Sequence, residues 1–502
     1  MMSKAAERYG RKTAIIYDER RLSFADLEES SNKIANALIE LGLVKGDRVA
    51  MLLPNSPEFI SIYFGIIKAG GIAVLLEPKY KASELEAIFG DCSPGVVFAE
   101  DSALKSLLPN LSNFESIKHV VNLGLGYQDA AISYDEIVAD RSASNRAINI
   151  DSDDIAHIAY TSGPSFYPRG VMVSHRCLVE ETAISARGFK QTAEDVLMLY
   201  ALPMHHAFGL VAIMFASIYQ GSRVVIVPGT GLSLGACMEA IEREGGTMFM
   251  GVPYIFALAI DLALKGGAKN NLSSLRLCAS AGAPLPSDII QKFKQLYGID
   301  IIDFWGLTEA TCHVTCPPLD DNVLPGSVGR ALPGWEMRII DDNGIELPVN
   351  QKGEVIVRGP IMAGYYKNPE DTAEAIRDGW LYTGDYGKLD DKGNLFLLGR
   401  KKEMIIVKGQ NIYPSDIEKV LCSHPQIAEA AVVGIPDMLR GERVGAVISL
   451  KAGESVVEQE IMQFCRKYLS DYKVPKQIAF MDALPKTATG KIIKQELTLF
   501  PV

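Results

Sequence analysis

The chain has 502 residues, 48% hydrophobic and 22% charged, with a formal net charge of −11. That length exceeds what one hydrophobic core usually serves, so two or more domains are expected, and the composition is that of an ordered globular protein. The acidic balance argues against a nucleic-acid partner, which calls for a basic face, but leaves room for local basic pockets that hold phosphates.

At the N-terminus, Met1 to Arg8 lacks the apolar core of a secretory signal. Ser23-Phe24-Ala25-Asp26 reads as a helix cap, followed at helical spacing by Phe24, Leu27, Ile34, Leu38 and Leu41. Gly42 ends that helix, and Arg48 to Leu53 reads as a buried strand closed by Pro54. The longest apolar stretch, Phe59 to Leu76, is interrupted by Lys68 and Gly70-Gly71. It fits a buried helix from Pro57 and a strand from Ala73 to Leu76 rather than a membrane span. This strand–helix alternation recurs to about residue 310 and predicts largely parallel sheets covered by helices.

Within it, Ile155 to Tyr160 reads as a strand running into Thr161-Ser162-Gly163-Pro164-Ser165-Phe166-Tyr167-Pro168-Arg169-Gly170, with Ser174 capping the next helix. Hydroxyls, backbone N–H groups and a guanidinium suit a polyphosphate, although the spacing is not that of a Walker loop and, taken alone, these residues read more readily as an ordinary turn. Asp303-Phe304-Trp305-Gly306-Leu307-Thr308-Glu309 follows a short apolar strand. An aromatic ring, a close-approach glycine, a hydroxyl and a carboxylate suit a nucleotide with Mg²⁺; a core tryptophan beside a helix start is the alternative. Cys312-His313-Val314-Thr315-Cys316 carries metal-ligating residue types, but no second pair lies at zinc-finger spacing, so packing is expected. The eight cysteines form no disulfide framework, which predicts a reducing, cytoplasmic setting.

Beyond residue 325 the texture changes. Glu336 to Ile340, the turn signal Asp342-Asn343-Gly344, and Gly353 to Val357 predict a small antiparallel β subdomain. A further hairpin runs from Gly387 to Leu398 around Lys392-Gly393-Asn394. Trp380-Leu381-Tyr382-Thr383-Gly384-Asp385 places a carboxylate able to accept two ribose hydroxyls, and Gly399-Arg400-Lys401-Lys402-Glu403 places an arginine to join it and marks the main boundary. The last hundred or so residues read as a small α+β domain ending in Leu484-Pro485-Lys486-Thr487-Ala488-Thr489-Gly490-Lys491, where a lone lysine would ordinarily be a solvated one.

Taken in order, these five segments resemble the AMP-forming acyl- and aryl-CoA synthetases of the adenylate-forming superfamily. Intervening matches include Leu202 to Gly209, Ser280 to Leu285, Pro325 to Arg330, Gly364 to Glu370 and Lys408 to Pro414, so the resemblance covers nearly the whole chain. It implies an α/β fold: a large N-terminal AMP-binding domain, residues 1–399, of two parallel-rich sheets with helices and the small β subdomain. A mobile C-terminal α+β lid, residues 400–502, would then swing about a hinge near Lys402. It also implies ATP, Mg²⁺ and coenzyme A, a small carboxylic acid, and a monomer or homodimer. The implied reaction is adenylation of the acid with release of pyrophosphate, then acyl transfer to coenzyme A with release of AMP. Loading of a carrier-protein thiol and a nucleotide-sensing module without catalysis are the alternatives.

Carried over residue by residue, the resemblance places Thr161, Ser162, Gly163, Ser165 and Arg169 at the β- and γ-phosphates. Gly282, Ala283 and Pro284 would line the adenine and Trp305 stack on it, within the segment that also holds Asp303, Phe304 and Gly306. Thr308 would touch the α-phosphate, Glu309 hold the metal ion, and Asp385 and Arg400 grip the ribose. Lys491 would bridge the α-phosphate and the attacking carboxylate, His206 sit at the mouth of the acyl pocket, and Lys408 and Gly409 border the pantetheine channel. Trp305 and Phe208 favour a medium-chain, alicyclic or aromatic acid. The phosphate loop departs from the pattern: Pro164 replaces a hydroxyl, Phe166 a glycine and Arg169 a lysine. Weaker or stiffer polyphosphate binding is expected, and with it operation near equilibrium or toward ATP formation.

Overall fold

Runs of four apolar residues such as Val196–Leu199 and Met248–Gly251 are buried along their whole length, as strands covered on both faces must be. The computed structural model describes residues 1–127, 130–146, 148–161, 169–227, 234–266, 270–320, 324–403, 405–407, 410–412, 414–437, 441–469, 473–487 and 490–497. Among these, two large sheets dominate the N-terminal part. One has seven strands, with Ile301–Asp303, Leu277–Ser280, Met248–Gly251, Val196–Leu199, Arg223–Ile226 and Thr13–Tyr17 in parallel and Arg20–Ser23 antiparallel at one edge. The other has eight and is parallel from Ile155–Thr161 through Ile72–Leu75, Arg48–Leu52, Val96–Ala99 and His119–Asn122 to Ile132–Ser133.

The helices form where the sequence punctuates them. Ser23 closes a capping box on Phe24–Glu40, Ser56 with Pro57 opens Pro57–Lys68, and Ser174 accepts from the Cys177 N–H at the start of His175–Gly188. Between the sheets lies one continuous apolar core that includes Phe59, Tyr63, Phe215 and Phe249, all fully buried.

Two details differ from the sequence reading. Arg169 and Gly170 are not loop residues; they open the strand Arg169–Ser174, which returns antiparallel on Ile155–Thr161 with Thr161 opposite Arg169. The hydroxyl- and proline-rich run 162–168 between these two strands lies outside the described residues. And Asp342-Asn343-Gly344 is a tight turn, with the Gly344 and Ile345 N–H groups bonding back to Asp341, inside the longer connection between Glu336–Ile340 and Gly353–Arg358.

Those two strands, with Trp380–Leu389, Ile376–Arg377 and Leu395–Arg400, form the antiparallel β subdomain. The smaller C-terminal domain has its own sheet, centred on the long hairpin Ile427–Asp437 and Gly441–Leu450. Its separate core is built from Ile405, Ile417, Leu421, Val432, Ile448, Ile461 and Cys465. Among the described residues no helix is long and apolar enough to cross a membrane.

Candidate active site

Parallel pairing of Ser280 with Asp303 ends two neighbouring strands side by side, so the segments 281–285 and 303–306 emerge together at their C-terminal edge. Gly282 adopts φ +85, and a Cβ there would stand 3.6 Å from Val252. Asp303 lies against the backbone N–H groups of Leu285 and Phe304, yet burial outweighs them and lifts its carboxyl to about 8. Gly306 is forced by close approach: a Cβ there would meet the Cys312 carbonyl oxygen at 2.0 Å.

Trp305 is buried and donates its indole N–H to Asp385 Oδ2 at 2.9 Å. The other oxygen of Asp385 meets Arg400 Nε at 2.6 Å, because Asp385 and Arg400 are register partners on adjacent antiparallel strands. Burial raises the Asp385 carboxyl, opposed first by Arg400, then by Trp305 and by Lys491. Lys491 reaches this cluster from the C-terminal domain, and its ammonium is pushed down by desolvation and by Arg400, with Glu403 and Asp385 pulling it back up. Its loop rests on the larger domain: a Cβ at Gly490 would stand 3.7 Å from Tyr254, whose ring carries Lys486 Nζ at 5.2 Å.

Thr308 and Glu309 lie in a single 3-10 turn. Glu309 Oε1 accepts the Tyr365 hydroxyl at 3.0 Å, and the Glu309 carbonyl accepts the Met362 N–H. The segment Gly364–Tyr365 pairs with Met172 and Val171, which brings Tyr365 beside Arg169. Contacts thus link Arg169 to Glu309 through Tyr365, and Trp305, Arg400 and Lys491 to Asp385, with Thr161 opposite Arg169 and Thr308 beside Glu309. Ser162, Gly163, Ser165, Lys408 and Gly409 lie outside the described residues.

His206 stands on a turn fixed from two sides. Asn55 donates to the Leu202 carbonyl at 2.8 Å and accepts the Met204 N–H at 2.8 Å, while His205 lies 3.3 Å from Glu77. His206 is exposed, yet desolvation by the surrounding protein and then His205 depress its pKa to about 4, so the ring is neutral at physiological pH. Phe208 meets Phe304 edge to face at 5.1 Å, and Phe304 in turn meets Phe189 and His313. Asn55, Glu77 and Tyr365 were not among the site residues read from the sequence. Tyr365 had a signal, since it lies in the Gly364 to Glu370 motif, but Asn55 and Glu77 had none.

The Cys312–His313 pair enters a buried cluster with Glu181, the ligand-capable atoms all within 4.8 Å of one another. Glu181 is supplied with donors by the protein itself: the His313 N–H at 3.1 Å, Ser185 Oγ at 3.3 Å and the Trp335 indole at 3.0 Å. This is the behaviour of a satisfied polar core group.

A family model described as AMP-binding enzyme matches residues 2–366, and one described as AMP-binding enzyme C-terminal domain matches residues 416–491. This chain is a member of the AMP-binding enzyme family. Among relatives, it is 33% identical to the long-chain-fatty-acid–CoA ligase of Bacillus subtilis (strain 168), over 99% of this chain and 93% of that one. Among solved structures it resembles the anthranilate CoA ligase AuaEII in complex with anthranoyl-AMP, with TM-score 0.91 and 30% identity over 99% of this chain and 95% of that one. It also resembles ATP-bound MatB from Rhodopseudomonas palustris, with TM-score 0.90 at 30% identity over 99% and 97%. The apo form of that same MatB gives 0.80 at the same identity and coverage, so the arrangement seen here is the more like the ATP-bound one.

Proposed function

We propose that this AMP-binding enzyme is a carboxylate–CoA ligase. A carboxylate oxygen attacks the α-phosphorus of ATP and pyrophosphate leaves; the thiol of coenzyme A then attacks the acyl carbonyl carbon and AMP leaves. The observation that carries this reading is the placement of Lys491, delivered by the smaller domain to the Asp385–Arg400 pair of the larger one. Two anions must meet in the first step, and a cation about 4 Å away is worth roughly 4 kcal/mol at an effective dielectric near 20. Asp385 and Arg400 would hold the ribose, Thr308 the α-phosphate, and Thr161 and Arg169 the outgoing phosphates. Trp305 would border the adenine and fix Asp385 through its indole N–H.

Mg²⁺ fits this site at Glu309. The carboxylate is a hard oxygen donor oriented by Tyr365, and among the described residues no cluster of three metal-ligating side chains surrounds it. An ion there would complete its shell from phosphate and water, the usual habit of Mg²⁺. When bound, it supplies charge stabilisation to the phosphate oxygens.

The hinge is taken at Lys402; Arg400, still a strand partner of Asp385, goes with the larger domain and not with the lid that the sequence reading began at residue 400. Lys401 is tied to the larger domain, 2.9 Å from Glu354 and 3.4 Å from Asp342. Glu403 is tied to the smaller one, 3.0 Å from Lys494. Lys402 lies between the two anchorages, where backbone rotation leaves both intact. Swinging there would withdraw Lys491 and bring Lys408 and Gly409 to the cleft for the thiol step. The acid is placed as medium-chain, alicyclic or aromatic, entering past neutral His206. A cytoplasmic monomer or homodimer is the assigned state, in keeping with eight unpaired cysteines.

The test is exchange of labelled pyrophosphate into ATP across a panel of acids, then release of AMP on adding coenzyme A. Nucleotide binding with no acid-dependent exchange would sink the ligase reading. Exchange with acyl transfer to a carrier-protein thiol but not to coenzyme A would replace the acceptor.

A further inference from the structure

Arg169 opens its strand directly across from Thr161, at the foot of the segment read as the polyphosphate loop. Its guanidinium is already engaged. Nη1 lies 3.1 Å from Asp371 Oδ2, and the group sits 5.0 Å above the ring of Tyr365, whose hydroxyl holds Glu309. Asp371 is itself fixed in place: it lies in the first turn of Pro369–Ala375, where its backbone N–H donates to Asn368 Oδ1 at 3.0 Å. The side chains are 19% and 35% accessible for Arg169 and Asp371, so the pair is shielded enough to matter and open enough to be exchanged.

We propose that Asp371 is a positioning residue that competes with polyphosphate for Arg169, so that pyrophosphate is held weakly and released readily. This rests on the reading of residues 161–170 as the polyphosphate segment. A phosphate approaching Arg169 meets a cation whose charge is already balanced and a carboxylate of its own sign beside it, so either the Asp371 contact opens or the phosphate is held loosely. An arginine suits such sharing, since its planar fork can serve one partner on each edge. Ready release favours the synthetic direction, opposite to the near-equilibrium operation expected from the loop sequence.

The experiment measures pyrophosphate as product inhibitor and its KM in pyrophosphate–ATP exchange, for the parent enzyme, Asp371→Asn, Asp371→Glu, Arg169→Gln and the double variant Arg169→Gln with Asp371→Asn. Asp371→Asn is expected to tighten pyrophosphate about three- to tenfold, with KM for the acid unchanged. Asp371→Glu should return it toward the parent value, and Arg169→Gln should weaken it and abolish the effect of Asp371→Asn. A merely structural role for Asp371 would lower the melting temperature without tightening pyrophosphate. If Arg169→Gln weakens pyrophosphate but Asp371→Asn leaves it unchanged, the competition is refuted and the loop reading stands. If Arg169→Gln alters neither ATP nor pyrophosphate binding, the loop reading falls and the competition falls with it.

Discussion

Lys491 is a single cation in a sequence run of small residues, and the role proposed for it is electrostatic. Lys491→Ala should slow adenylate formation by about a thousandfold, the rate equivalent of the roughly 4 kcal/mol assigned to it, while thiolysis of pre-made acyl-AMP keeps its rate. Single-turnover measurements of the two half-reactions separate the outcomes, and equal loss in both contradicts the assigned role. Asp303 offers a second residue-scale test. Burial lifts its carboxyl to about 8, so near neutrality it is protonated and presents one donor and one acceptor, as an amide would. A nucleotide covering it desolvates it further and favours the protonated form. ATP affinity should therefore weaken as pH rises through about 8, and Asp303→Asn should flatten that dependence. Titration of ATP binding between pH 7 and 9 checks it; parallel profiles for parent and variant would remove the argument.

Between elements, the buried Glu181 joins the helix His175–Gly188 to the strand His313–Cys316 and to Trp335. Its carboxyl is raised from an ordinary 4.5 to about 8, mainly by burial. The folded protein therefore keeps a proton that the unfolded chain gives up above 4.5, so the stability linked to this group is complete below that value and is lost as pH rises toward about 8. Glu181→Gln keeps an acceptor for the Trp335 and His313 donors and has no charge to titrate. Its denaturation midpoint should change less between pH 5 and 8 than that of the parent protein, and an equally steep fall in the variant would show that other groups carry the dependence. The same pairing of elements explains Gly306, which allows Trp305–Gly306 to run against His313–Cys316 where any side chain would collide with the Cys312 backbone.

At the scale of the whole molecule, Lys401 is anchored on the larger domain and Glu403 on the smaller one, which is what the proposed rotation at Lys402 requires. Gly409→Leu should spare acid-dependent pyrophosphate exchange and reduce thioester formation at least tenfold, because a side chain at that position would narrow the channel assigned to pantetheine. Unchanged thioester synthesis would take away the two-state account of the lid.

By itself the sequence was enough for whatever short-range chemistry dictates. Ser23, Ser56 and Ser174 cap helices because a side-chain oxygen meets an orphan N–H three residues on. The apolar runs become buried parallel strands, and the ordered motifs name the family. Strand pairing was not legible to the same depth. Arg169 read as a loop residue because nothing local marks where the strand returning on Ile155–Thr161 begins. The engagement of Arg169 by Asp371, of Glu309 by Tyr365, of Asp385 by Trp305 and of His205 by Glu77 joins residues up to 202 positions apart in the chain. Such contacts depend on which strands lie side by side and in what register, a choice made by burial of the whole core and not by any local pattern. Tertiary structure alone decided which of these charges already have partners, and on those partners the proposed looseness toward pyrophosphate rests.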